Sequence, residues 1–299
     1  MTISLNREAF LVPMPEDIPD VLSVTLPGAP LIPLVFDSPH SGTDIPADFK
    51  PAVSADMVRI SADTHVDDLF SSAPRHGAPL LRAHFPRSFL DANRSLADMD
   101  RDMLAGEWPY HTRDSPTARR GMGLIWRNAW GETPMYAAPM PVGEAEARIR
   151  KYWVPYQAAL RKLLDGAFAQ FRCVWHINCH SMTDVGHAMS SDGDGARRAD
   201  ICIGDMYGAS AGEEFTALLR DFLKSEGLSV AMNKPFRGAE LTEAYANPSI
   251  NRHSVQFEIN RRLYMNETTR EISQDYPALK GAMDRLVAHV ADYTQGKLV

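Results

Sequence analysis

Residues 31–42 read Leu-Ile-Pro-Leu-Val-Phe-Asp-Ser-Pro-His-Ser-Gly. A short apolar run stops abruptly in turn residues, His40 follows just past the stop, and Gly42 lets the chain turn with no side chain in the way. A run of this kind fits a strand buried in an α/β sheet. Such sheets place their chemistry in the crevice beyond the carboxyl ends of the strands. His40 therefore stands where a metal ligand or an acid–base group belongs. A lone histidine is weak support, so the reading turns on whether the chain supplies partners.

Residues 174–182, Val-Trp-His-Ile-Asn-Cys-His-Ser-Met, repeat the pattern and put His180 at the end of a second apolar strand. Val255, Phe257 and Ile259 alternate with Gln256, Glu258 and Asn260, which predicts a strand with one apolar face and Glu258 on the other. Shorter strands are expected near 79–84, 121–127, 201–205 and 228–232. Ser54 is placed to cap a helix, and Asp63 to begin a fresh one that ends near residues 75–77.

The clearest helix is 144–171, where Ile149, Trp153, Tyr156, Leu160, Leu163 and Ala167 form one stripe. Pro155 should kink it or mark its real start. Ser210 with Glu213 reads as a capping box for a helix running to Gly227. A last helix over 275–294 repeats Leu279, Met283, Leu286, Val290 and Tyr293. This alternation predicts an α/β fold with a mixed, mostly parallel sheet and helices on both faces.

No internal repeat or compositional break divides the 299 residues, so one domain is expected over 1–299. Residues 1–30, punctuated by proline, read as an N-terminal arm or short hairpin. Residues 95–140 are rich in Asp, Arg, Gly, Trp and Pro, the composition of a functional loop or lid.

The formal net charge is −7, which argues against nucleic acid or an anionic membrane as the main partner. A small anionic substrate remains compatible, because local arginines decide its binding. Cys173, Cys179 and Cys202 form no Cys-x-x-Cys pair and predict no disulfide framework, which suits a reducing compartment. No signal-peptide pattern opens the sequence, and no apolar stretch nears the roughly 20 residues needed to span a bilayer. A cytoplasmic protein is expected.

Zinc in hydrolases takes three nitrogen or carboxylate ligands and keeps one position open. His40 and His180 supply two. Asp44, Asp63, Asp67 and Asp68 are candidates for the third, and spacing does not choose among them; Asp63 reads equally well as a helix N-cap. Asp91-Ala-Asn-Arg94 offers an amide and a guanidinium fork suited to a carboxylate, against the ordinary reading of a turn with a solvated arginine. Glu258 is the right group to take a proton from water beside a metal; the plainer reading pairs it with Arg261 or Arg262. His65, two residues from Asp63, is the exception among the remaining histidines, which are expected to be structural or exposed.

Taken in order, Ser-Pro-His40-Ser-Gly, Ala-Asp63-Thr-His-Val-Asp, Leu-Asp91-Ala-Asn-Arg94, Asn-Cys-His180-Ser-Met and Gln-Phe-Glu258-Ile-Asn-Arg-Arg-Leu-Tyr264 resemble the segments of the N-formylglutamate amidohydrolases, also called N-formylglutamate deformylases. The resemblance spans about residues 30–265. More distantly the set is similar to the aspartoacylase and zinc-carboxypeptidase group. It implies a single-domain three-layer sandwich of the zinc-carboxypeptidase-like (phosphorylase/hydrolase-like) kind.

It also implies that His40, Asp63 and His180 hold Zn²⁺ or another divalent metal. Asp63 is preferred to Asp44 because the family keeps an acid at that place. Glu258 would be the general base and then the proton donor. Asn93 and Arg94 would grip a substrate carboxylate, Arg87 would polarise the scissile carbonyl, and Arg127 would bind a second carboxylate. Asn178 stands where the family often has Asp and would orient His180. The implied reaction cleaves N-formyl-L-glutamate to formate and L-glutamate, the last step of a histidine-degradation route. The competing readings are a deacylase or carboxypeptidase-like hydrolase of another small N-acyl amino acid, and a carboxylate-binding protein without turnover.

Overall fold

The computed structural model describes residues 14–298. Residues 1–13 of the expected arm lie outside the described residues. Within the remainder of that stretch, Leu22–Thr25 forms an edge strand, β1, because Leu22 and Val24 alternate inward between the flanking prolines. Next come β2 (Leu34–Ser38), α1 (Ala55–Arg59), α2 (Val66–Leu69) and β3 (Leu80–Ala83). Ser54 caps α1, its Oγ accepting from Met57 N at 3.3 Å.

Residues 95–141 hold only short elements: β4 (Leu104–Ala105), α3 (Pro116–Arg119), β5 (Asn128–Trp130), β6 (Thr133–Pro134) and β7 (Met140–Pro141). β4 pairs with β7 and β5 with β6. The strand expected over 121–127 does not form; it is a loop closed by one bridge between Met122 and Trp126. Its backbone is used elsewhere: Leu124 N donates to Asp98 O at 3.0 Å and Leu124 O accepts from Asp91 N at 2.8 Å. The segment is thereby docked onto residues 91–98. Gly123 permits this approach, since a Cβ there would meet Asp98 O at 2.5 Å.

α4 (Val142–Arg148) runs through a π-turn at Ile149–Trp153 into α5 (Val154–Phe171). Pro155 has no N–H for the carbonyl of Lys151, and the widened turn absorbs the loss. β8 (Val174–Met182), β9 (Ile201–Gly204), α6 (Glu213–Ser225), β10 (Val230–Met232), α7 (Glu240–Tyr245), β11 (Arg252–Asn260) and α8 (Tyr276–Gly296) complete the order. The capping box expected of Ser210 is absent. Gly212 is the N-cap of α6, and Ser210 Oγ donates instead to Ser254 O at 2.8 Å, tying the loop to β11.

Seven strands form one sheet in the order β1-β3-β2-β8-β11-β9-β10. β1/β3 and β11/β9 are antiparallel, and the other four neighbouring pairs are parallel. On one face Phe36, Ile177, Phe257 and Ile203 pack against Phe215 and Leu219 of α6 and Met283, Leu286 and Val290 of α8. On the other face Val35, Leu81 and Val174 meet Tyr156, Leu160 and Leu163 of α5. The mixed, mostly parallel sheet between two helical layers is the fold expected. Full burial of each such side chain stabilises by about 1.5–3 kcal/mol. Among the described residues no helix is long and apolar enough to cross a membrane.

The α5 face changes character along β8 and β11. Past Val174 it presents His176, Asn178 and His180, directly opposite Ser254, Gln256 and Glu258. Every one of these residues is buried. The period of two thus puts the apolar side chains of both central strands on the α6/α8 face and a ladder of polar groups on the other. A slip of one residue would exchange the two sets, so burial of the apolar face fixes the register.

Candidate active site

Asp37 founds the polar ladder. It is an acid directly after three apolar residues of β2 and is fully buried. It accepts from Tyr156 OH at 2.8 Å, His176 Nε2 at 2.8 Å and Asn178 Nδ2 at 2.7 Å. With Nδ2 the donor in the last bond, the amide of Asn178 has Oδ1 turned away from Asp37. That oxygen lies 2.6 Å from His180 Nε2. His180 Nε2 therefore carries the ring proton and donates it to Asn178.

With Nε2 protonated, Nδ1 of His180 is bare. It faces Asp63 Oδ2 at 3.0 Å. Burial pushes the His180 imidazole down to about 4 despite the facing carboxylate, so it is neutral near pH 7. His40 repeats the arrangement. Its Nε2 lies 2.6 Å from Asp91 Oδ1, while its Nδ1 is buried, has no hydrogen-bond partner and sits 3.5 Å from Asp63 Oδ2.

Burial raises the Asp91 carboxyl, but His40, Arg87 and Arg94 outweigh it and hold Asp91 well below the usual range. Asp63 is likewise raised by burial but held well below the usual range, with the charge of Arg87 among the causes. Its other oxygen, Oδ1, accepts from Arg261 Nη2 at 3.0 Å and Ser181 Oγ at 3.3 Å, which turns Oδ2 toward the histidines.

Ligand atoms of His40, Asp63 and His180 lie within 4.8 Å of one another, and all three residues are buried. Bare acceptors that converge with no proton between them are costly unless a cation joins them. The donor set, two imidazoles and one carboxylate, suits Zn²⁺ or a similar divalent ion. Each imidazole is backed by an oxygen acceptor on its far side, as ligand histidines usually are. The residues fit such an ion.

The other acids considered for the third position are placed elsewhere. Asp44 is exposed. Asp67 pairs with Arg82 at 2.8 Å, and Asp68 accepts from Tyr276 OH. Asp63 is not a helix cap, since α2 begins after His65. His65 itself lies within hydrogen-bond distance of Arg270 O, 2.9 Å, and stays outside the group.

Glu258 neighbours His180 across the β8/β11 pair. Neither Arg261 nor Arg262 neutralises it: the former bonds Asp63 and the latter pairs with Asp184 and Asp200. Its bond is from Gln256 Nε2 at 2.8 Å. Burial, then the charge of Asp63, pushes Glu258 up to about 8.

Arg87 donates to Asp91 at 3.1 Å and lies 3.9 Å from Asp63, with its guanidinium over Trp126 and its buried Nε without a partner. Asn93 reaches the same place, but its amide is engaged: Nδ2 donates to Asn178 Oδ1 at 3.1 Å, and Oδ1 accepts from Leu241 N at 2.9 Å. Arg94 bonds Asn93 O at 3.1 Å and Met122 O at 3.4 Å. Arg127 is not brought into this cluster; it pairs with Asp100 at 3.1 Å.

Sequence reasoning missed four contributors. The sequence shows Asp91 only as part of a motif, Tyr156 only as packing, and Asp37 only as the end of a strand. An acid directly after a buried apolar run was the available signal for Asp37. Nothing in the sequence pointed to Arg261 as the residue that orients Asp63.

Against known proteins, the sequence model of the N-formylglutamate amidohydrolase family matches residues 32–265. An N-formylglutamate deformylase of Pseudomonas aeruginosa is 29% identical over 246 residues, 79% of this chain and 83% of the relative. One from Pseudomonas putida is 26% identical over 242 residues, with the same coverage of 79% and 83%. The crystal structure of an N-formylglutamate amidohydrolase from Ralstonia eutropha is similar with a TM-score of 0.90 at 38% identity, over 93% of this chain and 99% of that one.

Proposed function

The chain belongs to the N-formylglutamate amidohydrolase family, and from that premise we propose that it cleaves N-formyl-L-glutamate to formate and L-glutamate with the help of a divalent cation held by His40, Asp63 and His180. The observation that carries this reading is the convergence of the three bare acceptor atoms beside a buried, uncompensated Glu258. Zn²⁺ is the preferred ion, and the last step of histidine degradation is the proposed setting.

Bound there, the cation would supply Lewis acidity, polarising the formyl carbonyl and acidifying water. Glu258 accepts the proton of the attacking water and returns it to the departing nitrogen. A carboxyl that titrates near neutrality serves both directions of that transfer. Arg87, with Nε unpartnered, donates to the oxygen on which charge develops. Arg94 holds a substrate carboxylate, and its forked geometry fixes the orientation of the amide bond. Asn93 supports this by holding the Asn178–His180 pair in place.

The test is formate release from N-formyl-L-glutamate, with N-acetyl-L-glutamate and N-formyl-L-methionine alongside, in protein treated with chelator and then reloaded with Zn²⁺. Formate from the first compound alone, lost on chelation and restored by Zn²⁺, is expected. Faster cleavage of N-acetyl-L-glutamate would assign the site to a different deacylase.

A further inference from the structure

The loop that follows α3 carries a guanidinium with nothing to neutralise it. In the 95–127 segment Arg113 pairs with Asp98 at 2.8 Å, Arg119 with Asp114 and Arg127 with Asp100 at 3.1 Å, while Arg101 is exposed to solvent. Arg120 has no such acid. It is half-buried, its Nε is buried, and its side chain has no hydrogen-bond or ion-pair partner among the described residues. The charged groups that face it are Arg94 and Arg119, and with burial they hold its guanidinium below the ordinary value.

A buried donor left unpaired is destabilising, and more so when it is charged. A second positive charge beside it adds repulsion. An anion lodged between the two guanidinium groups would relieve both.

The position of Arg120 is set by the docking of its loop on the active-site segment. Arg94 Nε donates to Met122 O at 3.4 Å, two residues beyond Arg120. Asp91 N donates to Leu124 O, and Arg87 lies 5.3 Å from the centroid of Trp126. Residues 122–126 therefore lie against Arg87, Asp91 and Arg94, and Arg120 leads directly into that stretch. Arg94 directly follows Asn93, which lies 3.0 Å from His180.

We propose that Arg120, beside Arg94, forms a second anion subsite that takes the side-chain carboxylate of an acidic N-formyl amino acid and so selects dicarboxylate substrates over neutral ones. Arg127, the residue expected to take that carboxylate, is engaged by Asp100. The inference rests on the proposed deformylase reading for its substrate and on the unpartnered guanidinium for its place. Arg120 is a specificity residue and takes no part in proton transfer.

The test compares wild type, Arg120→Gln and, as a control, Arg101→Gln, an exposed arginine of the same segment. Loss of a charge-assisted contact should raise KM for N-formyl-L-glutamate about 10- to 100-fold while kcat changes little. The preference for N-formyl-L-glutamate over N-formyl-L-glutamine should fall by a similar factor. Calorimetry with L-glutamate on cation-loaded protein should show the same loss, and Arg101→Gln should match wild type in all three.

A folded Arg120→Gln variant with wild-type KM and wild-type L-glutamate affinity overturns the proposal. If that variant does not fold, L-glutamate should still protect Arg120 of the wild type from phenylglyoxal, and L-glutamine should not; equal labelling overturns it. Wild type that binds L-glutamate through Arg120 but releases no formate would leave the subsite standing and remove the deformylase reading.

Discussion

Asp91 Oδ1 stands 2.6 Å from His40 Nε2, on the far side of the ring from Asp63. That contact assigns the ring proton to Nε2 and turns the lone pair of Nδ1 inward. Asn178 does the same for His180 from two residues earlier on the same strand, but with a neutral amide. The two imidazoles are thus presented by different means, one by a charged acceptor and one by an amide that Asp37 holds in orientation.

Replacing Asp91 with Asn keeps an acceptor of the same shape and removes its charge. Cation affinity should fall about 10- to 100-fold, as is usual when the group behind a ligand histidine is lost. Competition with a chromogenic chelator measures it. Affinity equal to wild type would mean that Asp91 does not govern His40.

The Glu258→Gln variant should bind Zn²⁺ at full stoichiometry and lose about 10²- to 10⁴-fold in kcat. Metal analysis and formate release on the same preparation separate the two effects. Wild-type turnover would remove Glu258 from proton transfer.

The raised value of Glu258, about 8, lies above that of an unfolded glutamate. Between the two values the native cation-free protein binds more protons than the unfolded chain, so its stability falls as pH rises toward 8. His180, lowered to about 4, acts oppositely: its contribution grows as pH rises from about 4 to the unfolded histidine value near 6.5. Above pH 6.5 only the Glu258 effect remains. Urea unfolding of chelated protein should show stability decreasing from pH 6.5 to 8, with the slope reduced in Glu258→Gln. An equal slope in both would assign the loss to another group.

Tyr156 joins the helix α5 to the ladder through its bond to Asp37. Tyr156→Phe keeps the ring in the core and removes one of three donors to a buried carboxylate. Denaturant unfolding should show a loss of about 1.5–3 kcal/mol with the m-value unchanged. A neutral result would mean that Asp37 is satisfied by His176 and Asn178 alone.

Much of the fold was legible because it rests on local pattern. The apolar runs ending at His40 and His180, and the alternation about Glu258, became three adjacent strands of the central sheet. The stripe from Ile149 to Ala167 became the helix over the polar face, and Pro155 marked its irregular turn. Residues 121–127 and Ser210 escaped because their backbone and hydroxyl groups bond to segments remote in sequence, which no local pattern records.

The chain by itself determined which chemical groups sit at strand ends, since a period of two and a buried apolar face leave His180 and Glu258 only one side to occupy. It left open which aspartate would join them, for Asp44 and Asp63 are both near His40 in sequence. Tertiary structure decided that. Arg261, some two hundred residues from Asp63, holds one oxygen of its carboxylate and leaves the other facing the histidines. The same packing gave Asp100 to Arg127 and left Arg120 without an acid. Charge pairing is a property of distances in space, and the spacing of residues along a chain does not encode them.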